Sequence, residues 1–291
     1  RLKTYIKKEL RVILEEFGDK RRCQITSDVI SAQAFSDQDM MPAENVTVVL
    51  SEKGWVKAAK GHEIDSSALN YKSGDAFLKE AKGRSNKMAF FIDSSGRSYT
   101  LLANSLPSAR GQGEPLTGRL TPPIGAEFID VVMGDDEQLV ILSSDAGYGF
   151  ISTLGDLQSK TKSGKHAITL SKEAKTMRLT KVQNLESDYL AVITNRARLL
   201  IFQVSELPHL SKGKGNKLIN IKTDDFVAKE EFLIGLCIIK ENQKLRVEYG
   251  NGKKHKQYSF SDLVNFTSHR ARKGLTVPGV HGKALGIDAI D

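Results

Sequence analysis

The apolar positions change period once along the chain. Leu2, Ile6, Leu10, Ile13, Leu14 and Phe17 recur at three- and four-residue steps, with Lys3, Lys7, Glu9, Arg11 and Glu15 largely off that stripe. This predicts one amphipathic helix that needs something to pack on. Gly18 supplies its stop and Asp19-Lys20-Arg21-Arg22 a charged exit. From Ser27 to Asn45 the chain turns polar and acidic around Asp28, Asp37, Asp39, Pro42 and Glu44, as linkers do. The expected organisation is a helix and tail over 1–26, a linker over 27–45 and a β domain over 46–291.

Beyond the linker the helical period gives way to a recurring pair of extended apolar runs joined by a short turn. The pairs are Val46–Leu50 with Trp55–Ala58, Met88–Ile92 with Arg97–Leu101, Leu139–Leu142 with Tyr148–Ile151, and Leu190–Ile193 with Arg198–Phe202. A weaker fifth pair is Leu245–Tyr249 with Gln257–Phe260. Glycine in the turn gives positive φ without steric cost, which tight hairpins require. The turn slots Gly54, Gly96, Gly147, Ala197 and Gly252 stand 42, 51, 50 and 55 residues apart. Strand repeats of roughly 40–50 residues are the mark of propeller-like blades. After a hairpin comes a basic, glycine-containing patch: Arg110–Gly113, Lys162–Lys165, Lys212–Gly215 and Arg270–Gly274. Hairpin, patch and a further apolar run repeat as a set. The expected class is all-β, with about five four-stranded blades, against a rival of two unrelated β-sandwiches.

Charge now becomes informative. The 291 residues hold 43 Lys+Arg against 35 Asp+Glu, a net charge of +8. The excess gathers in the patches, while stretches between repeats are acidic: Glu127, Asp130, Asp135, Asp136 and Glu137 in one, Asp224, Asp225, Glu230 and Glu231 in another. A ring of blades would bring equivalent patches to one rim. A curved basic rim meets duplex DNA by its phosphates and bends it, and neighbouring glycines would let backbone N–H groups approach phosphate. Lys- and Gly-rich solvated loops are the bland alternative for any one patch. Sequence-specific readout is not expected, since helix-turn-helix, zinc-finger and basic-zipper patterns are absent from the repeats. Phe90, Phe91, Phe150 and Phe202 sit in apolar runs and read as core.

Other chemistry finds no support in the residues. The longest apolar run, around Phe232–Ile239, is far short of the roughly 18 residues of a membrane span. Two cysteines, Cys23 and Cys237, cannot build a disulfide framework, so a reducing cytosol is expected. The six scattered histidines offer no zinc spacing. Gly111-x-Gly113 lacks the third glycine of a dinucleotide site, and Ser163-Gly164-Lys165 lacks the flanks of a P-loop. There is no Gly-x-Ser-x-Gly elbow. Asp135-Asp136-Glu137 reads as a solvated turn. With no signal pattern and no initiating Met, the sequence is expected to be a piece of something longer.

The stretch from Val46 to Asp65, with Ser51-Glu-Lys-Gly-Trp-Val-Lys-Ala-Ala-Lys60 at its centre, closely resembles the first blade of the C-terminal domain of the topoisomerase IV A subunit (ParC). Gly96-Arg-Ser-Tyr99, Leu106-Pro-Ser-Ala-Arg-Gly-Gln-Gly-Glu-Pro-Leu-Thr-Gly118, Ser144-Asp-Ala-Gly-Tyr-Gly-Phe150 and Leu210-Ser-Lys-Gly-Lys-Gly-Asn-Lys217 extend the likeness, which weakens in the last repeat. The helix with Gly18–Arg22 resembles the tail of the breakage–reunion core of that enzyme and of gyrase. The resemblance implies a β-pinwheel, a disc whose blades exchange strands, with DNA bent round its basic perimeter. The gyrase A subunit carries a glutamine–arginine–arginine–glycine–glycine–lysine–glycine box in its first blade. Here that region reads Lys60-Gly-His-Glu-Ile-Asp-Ser-Ser67, which resembles the decatenating and relaxing enzyme instead. The family's catalytic tyrosine, its neighbouring arginine and its winged helix match nothing in this stretch, so cleavage falls to no residue here. ATP and Mg would act elsewhere in the holoenzyme, and no cofactor or metal is expected in this piece.

The resemblance implies sequence-nonspecific duplex DNA as partner. It also implies a topoisomerase IV B subunit plus a second copy of the ParC chain, joined through the core, in the bacterial cytoplasm at the nucleoid. The expected DNA-binding set is Lys57, Lys60, Arg84, Arg97, Arg110, Arg119, Lys162, Lys165, Arg196, Arg198, Lys212, Lys214, Lys217, Arg270, Arg272 and Lys273. The competing readings are a gyrase wrapping domain, a propeller scaffold whose basic loops meet an acidic protein, and an enzyme with a pocket on the propeller axis.

Overall fold

The computed structural model describes residues 1–19, 43–252 and 254–290, in two units that divide between Met40 and Met41. The first unit holds α1 (Leu2–Phe17), which spans the predicted stripe. Its stop differs from a left-handed glycine cap: Gly18 is extended (φ −70°, ψ 126°), with its N–H on the Leu14 carbonyl. The stripe is exposed from Leu2 to Phe17. The charged exit beyond Asp19, Cys23 and the linker up to Pro42 lie outside the described residues. Asn45, assigned to the linker, already pairs with Arg84 in the first strand.

The second unit is all-β and repeats as its sequence does. Its first repeat supplies β1 (Asn45–Ser51), β2 (Trp55–Lys60) and β3 (Phe77–Arg84). The second supplies β4 (Met88–Asp93), β5 (Arg97–Leu102), β6 (Glu114–Pro115) and β7 (Phe128–Met133). The third follows with β8 (Leu139–Ser143), β9 (Tyr148–Thr153), β10 (Lys165–His166) and β11 (Thr180–Lys181). The fourth gives β12 (Tyr189–Thr194), β13 (Arg198–Gln203), β14 (Asn216–Lys217) and β15 (Leu233–Ile239). The last gives β16 (Lys244–Tyr249), β17 (Lys254–Tyr258), β18 (Leu275–Thr276) and β19 (Ala284–Ile290). All five expected hairpins form, with pairs such as Val48↔Ala58, Phe91↔Tyr99, Ile141↔Ile151, Val192↔Leu200 and Leu245↔Tyr258. Ala197 adopts the positive φ (53°) that glycine holds in the other turn slots.

Strands are exchanged between repeats. The sheets order as β3-β1-β2-β6, β7-β4-β5-β10, β11-β8-β9-β14, β15-β12-β13-β18 and β19-β16-β17. In each of the first four, three strands come from one repeat and the fourth is a two-residue strand donated by the next. The fifth blade has three strands, not the expected four.

Period-2 alternation splits each of the three middle blades between two cores, because neighbouring strand residues point to opposite faces. Phe91 joins Val48, Leu50 and Tyr99 in the core between the first two blades. Phe90, one residue earlier, packs with Leu142 and Phe150 between the second and third. Ile141 and Phe202 bridge the third and fourth, and Leu199 and Val247 the fourth and fifth. The four phenylalanines read as core are indeed buried. The last strands of the five repeats line a cavity of about 820 Å³. That makes β3, β7, β11, β15 and β19 the inner strands and leaves the donated strands outermost.

Candidate nucleic-acid interface

Each basic patch turns out to be a strand-exchange joint. A glycine at positive φ precedes every donated strand: Gly113 (87°), Gly164 (72°), Gly215 (74°) and Gly274 (73°). These glycines lie on the backbone of the receiving blade. A Cβ would stand 2.5 Å from the Val56 carbonyl oxygen at Gly113 and 2.8 Å from that of Leu199 at Gly274. At Gly164 it would meet the Tyr99 ring, and at Gly215 the Gly149 carbonyl. No side chain fits such an approach. Two residues pair with the outer strand, and the next is an apolar anchor, buried in every case: Leu116, Ala167, Leu218 and Val277. The anchors' N–H groups all donate to the carbonyl in the receiving hairpin's turn slot, Gly54, Gly96, Gly147 or Ala197, at 2.8–2.9 Å. The glycines just ahead of the donated strands therefore serve blade-to-blade contact, whereas nothing lies within 4 Å of a Cβ on Gly111.

What this geometry leaves on the outer edge is a set of cations just ahead of each glycine. Arg110, Lys162, Lys212, Lys214, Arg272 and Lys273 are exposed, and no carboxylate pairs with them among the described residues. They stand one to three positions before their glycines, so the joint fixes each of them at the perimeter. Lys214 lies 4.0 Å from the centroid of the Tyr148 ring and Lys217 6.0 Å from it. That ring holds Lys214, which stays exposed, by cation–π attraction.

Other members of the expected set are engaged within the fold. Arg97 Nη1 donates to the Ser163 carbonyl at 2.9 Å and so clamps the joint of the next repeat. Lys165 Nζ donates to the Asp156 carbonyl. Arg119 pairs with Glu114 and reaches Ser105 Oγ at 3.2 Å. Lys217 Nζ donates to Asn220 Oδ1, and Arg270 Nε to the Glu206 carbonyl. Lys60 forms an exposed pair with Glu44 at 2.8 Å, and Arg84 Nη1 donates to the Ala43 carbonyl at 3.2 Å.

Three expected residues leave the set. Lys57 is 2% exposed: its ammonium lies 3.8 Å from the Tyr71 ring centroid and donates to the Asn70 carbonyl. Desolvation lowers its pKa, although Asp75 pulls the other way. The chain after Lys60 causes this burial. Thr47 Oγ1 donates to the Gly61 carbonyl, His62 Nε2 lies 2.9 Å from the Gly83 carbonyl, and Tyr71 donates to that of Ser66. Arg198 is 9% exposed and pairs at two points with Glu231, which is wholly buried. Arg196 is exposed but sits between Glu230 at 2.7 Å and Asp225 at 4.0 Å. The acidic stretch around α2 (Thr223–Val227) thus neutralises both arginines of the fourth hairpin.

Sequence reasoning missed the aromatic seats. Trp55 and Tyr148 both directly follow a turn-slot glycine, and Lys72 stands 4.8 Å from the Trp55 centroid. That shared slot was the available signal. The axial cavity carries Lys79, Arg178 and Lys181 beside Asp130, a wholly buried carboxylate. Its burial pushes the pKa up to about 6 despite those cations and N–H bonds from Val131 and Leu179. No cluster suited to a metal ion occurs among the described residues.

Comparison with known proteins gives a consistent relationship. The DNA gyrase C-terminal domain, beta-propeller, family matches residues 138–182 and 188–229. The DNA topoisomerase 4 A subunit of Pseudomonas aeruginosa is 47% identical over 278 residues, covering 96% of this chain and 36% of the relative. The Escherichia coli K12 protein of the same name is 43% identical over 280 residues, with 96% and 37% covered. The chain therefore spans little more than a third of the length of these curated relatives. The solved E. coli ParC C-terminal domain matches with a TM-score of 0.77 at 43% identity, covering 85% of this chain and 99% of that one. A solved DNA gyrase A C-terminal domain, at 16% identity and a TM-score of 0.61, shares the fold alone. By its identity to that E. coli domain over nearly its whole length, the chain belongs to the family of ParC C-terminal domains of topoisomerase IV.

Proposed function

We propose that this chain binds duplex DNA along the outer edge of its blades, without sequence preference, and bends it. The observation that carries the reading is the set of four strand-exchange joints, each presenting exposed Arg or Lys beside a glycine locked on the neighbouring blade. The joints recur in every blade that receives a strand, so their cations follow the curve of the perimeter. Phosphates neutralised along such a track release counterions, and the duplex bends to reach the next joint. In a whole type II topoisomerase, built from two ParC-type chains with their B-subunit partners, the captured segment would be presented for ATP-dependent strand passage in decatenation and relaxation. On this reading the protein works in the bacterial cytoplasm at the nucleoid, and cleavage and ATP hydrolysis belong to parts of the enzyme outside this chain.

A gel shift with a random-sequence duplex at two salt concentrations tests the reading. Binding that weakens steeply with salt and is indifferent to sequence supports it. Absent or salt-independent binding overturns it and favours the rival in which the basic loops meet an acidic protein.

A further inference from the structure

The loop between β6 and β7 carries a feature that folding does not explain. It reads Thr121-Pro122-Pro123-Ile124-Gly125-Ala126. The two prolines fix φ along the approach. Ala126 N–H donates to the Pro123 carbonyl at 3.0 Å, and Gly125, at φ 79°, takes the third position of that turn. A positive φ there is the mark of a type II turn, and it sets Ile124 at the second position. Ile124 is 107% exposed, as open as in an extended peptide. The other exposed large aliphatics of the β unit, such as Val264 at 61% and Val227 at 57%, keep a substantial part covered.

The tip is held firmly. Thr121 N–H donates to the Lys162 carbonyl at 2.8 Å, and on the far side Ser94 and Glu127 exchange two hydrogen bonds. Three residues of chain span at most about 11 Å. With the 2.8 Å hydrogen bond at Thr121 added, Ile124 projects from this turn within about 14 Å of the Lys162 carbonyl, and Lys162 is one of the unpaired edge cations. An aliphatic side chain on a stiff loop beside phosphate-binding groups is what inserts between base pairs and kinks a duplex.

We propose that Ile124 is a DNA wedge. When a duplex lies along the joint of Lys162, Ile124 enters the minor groove and unstacks one base step, concentrating part of the bend there. Flexible pyrimidine–purine steps accept it at least cost. Proline and turn geometry pre-order the tip, so little entropy is lost on insertion. The proposal rests on the DNA reading above and adds the means of bending.

The test compares the 291-residue chain with Ile124→Ser and Ile124→Leu on a short duplex, dye-labelled at both ends and carrying 2-aminopurine at TA steps. Energy transfer reads the bend, 2-aminopurine fluorescence reads unstacking, and a salt titration reads affinity. Thermal melting checks that the variants fold alike. The expected result is that Ile124→Ser loses about 20–40° of bend and the fluorescence rise. Its affinity stays within about threefold and its salt slope is unchanged. Ile124→Leu retains bend and fluorescence. A serine variant that bends and brightens DNA as the parent does overturns the wedge and leaves the DNA reading standing. A parent chain that shows no salt-dependent binding overturns the DNA reading, and the wedge with it.

Discussion

Gly215 lies directly on the peptide carbonyl of Gly149, 66 positions earlier in the chain, so closely that a Cβ on Gly215 would overlap that oxygen. The contact locks β14 onto the edge of β9 and closes the third blade with a strand from the fourth repeat. Gly215→Ala would meet both the left-handed penalty of about 1–2 kcal/mol for an L side chain and a backbone overlap. Urea unfolding should show a loss of at least that size. The Leu218 amide, bonded to the Gly147 carbonyl at 2.8 Å, should exchange faster. Gly111→Ala is the control: nothing lies within 4 Å of its Cβ position, and its effect should stay within about 0.5 kcal/mol.

The Arg198–Glu231 pair should behave as a buried ion pair. Glu231 is 0% exposed and also accepts from Thr194 Oγ1 at 2.9 Å. Glu231→Gln leaves Arg198 without its counter-charge, and breaking such a pair costs about 3–5 kcal/mol. Glu230→Gln, which breaks the exposed pair with Arg196, should cost at most about 1 kcal/mol. Chemical denaturation of both variants checks the contrast, and equal losses would contradict the burial argument.

Asp130 gives a pH signature. Its pKa is raised from 3.8 to about 6 by burial, so the unfolded chain ionises it first as pH rises. Its protonated form favours the fold below about pH 4. That advantage is lost progressively as pH climbs to about 6 and stays lost above. A shift of about two units corresponds to about 3 kcal/mol. The stability of wild type relative to Asp130→Asn should fall by up to that amount between pH 4 and pH 6.5, then level off. A difference that is flat across the window would show that Asp130 is ionised throughout.

The hairpins were legible because each is long enough to show alternation and each turn slot holds glycine or Ala197 at positive φ. The donated strands were not, since two residues carry no periodicity. Their signal is the spacing Gly113–Leu116, Gly164–Ala167, Gly215–Leu218 and Gly274–Val277, a glycine followed three positions later by a buried aliphatic. The patches stand out by their charge, but Gly113, Gly164, Gly215 and Gly274 are there for packing. Among the site residues, sequence located the cations without showing what consumes them. Lys57 pairs across from Val49 on a face that the segment around Asn70 and Tyr71 covers, and Arg196 and Arg198 meet carboxylates more than 25 residues away in sequence. Such long-range covering leaves no local pattern.

The most direct measurement is the salt dependence of duplex affinity for the chain and for a variant with Arg110, Lys162, Lys214 and Arg272 all changed to Ala, one cation from each joint. Those side chains are exposed, so the variant should fold normally. If each meets one phosphate, the slope of log affinity against log salt should shrink by about 0.9 per contact, or about 3.6 in all. Affinity should fall alike on every sequence tested. A variant whose slope and affinity match those of the parent chain would contradict the claim that the strand-exchange joints form the DNA track.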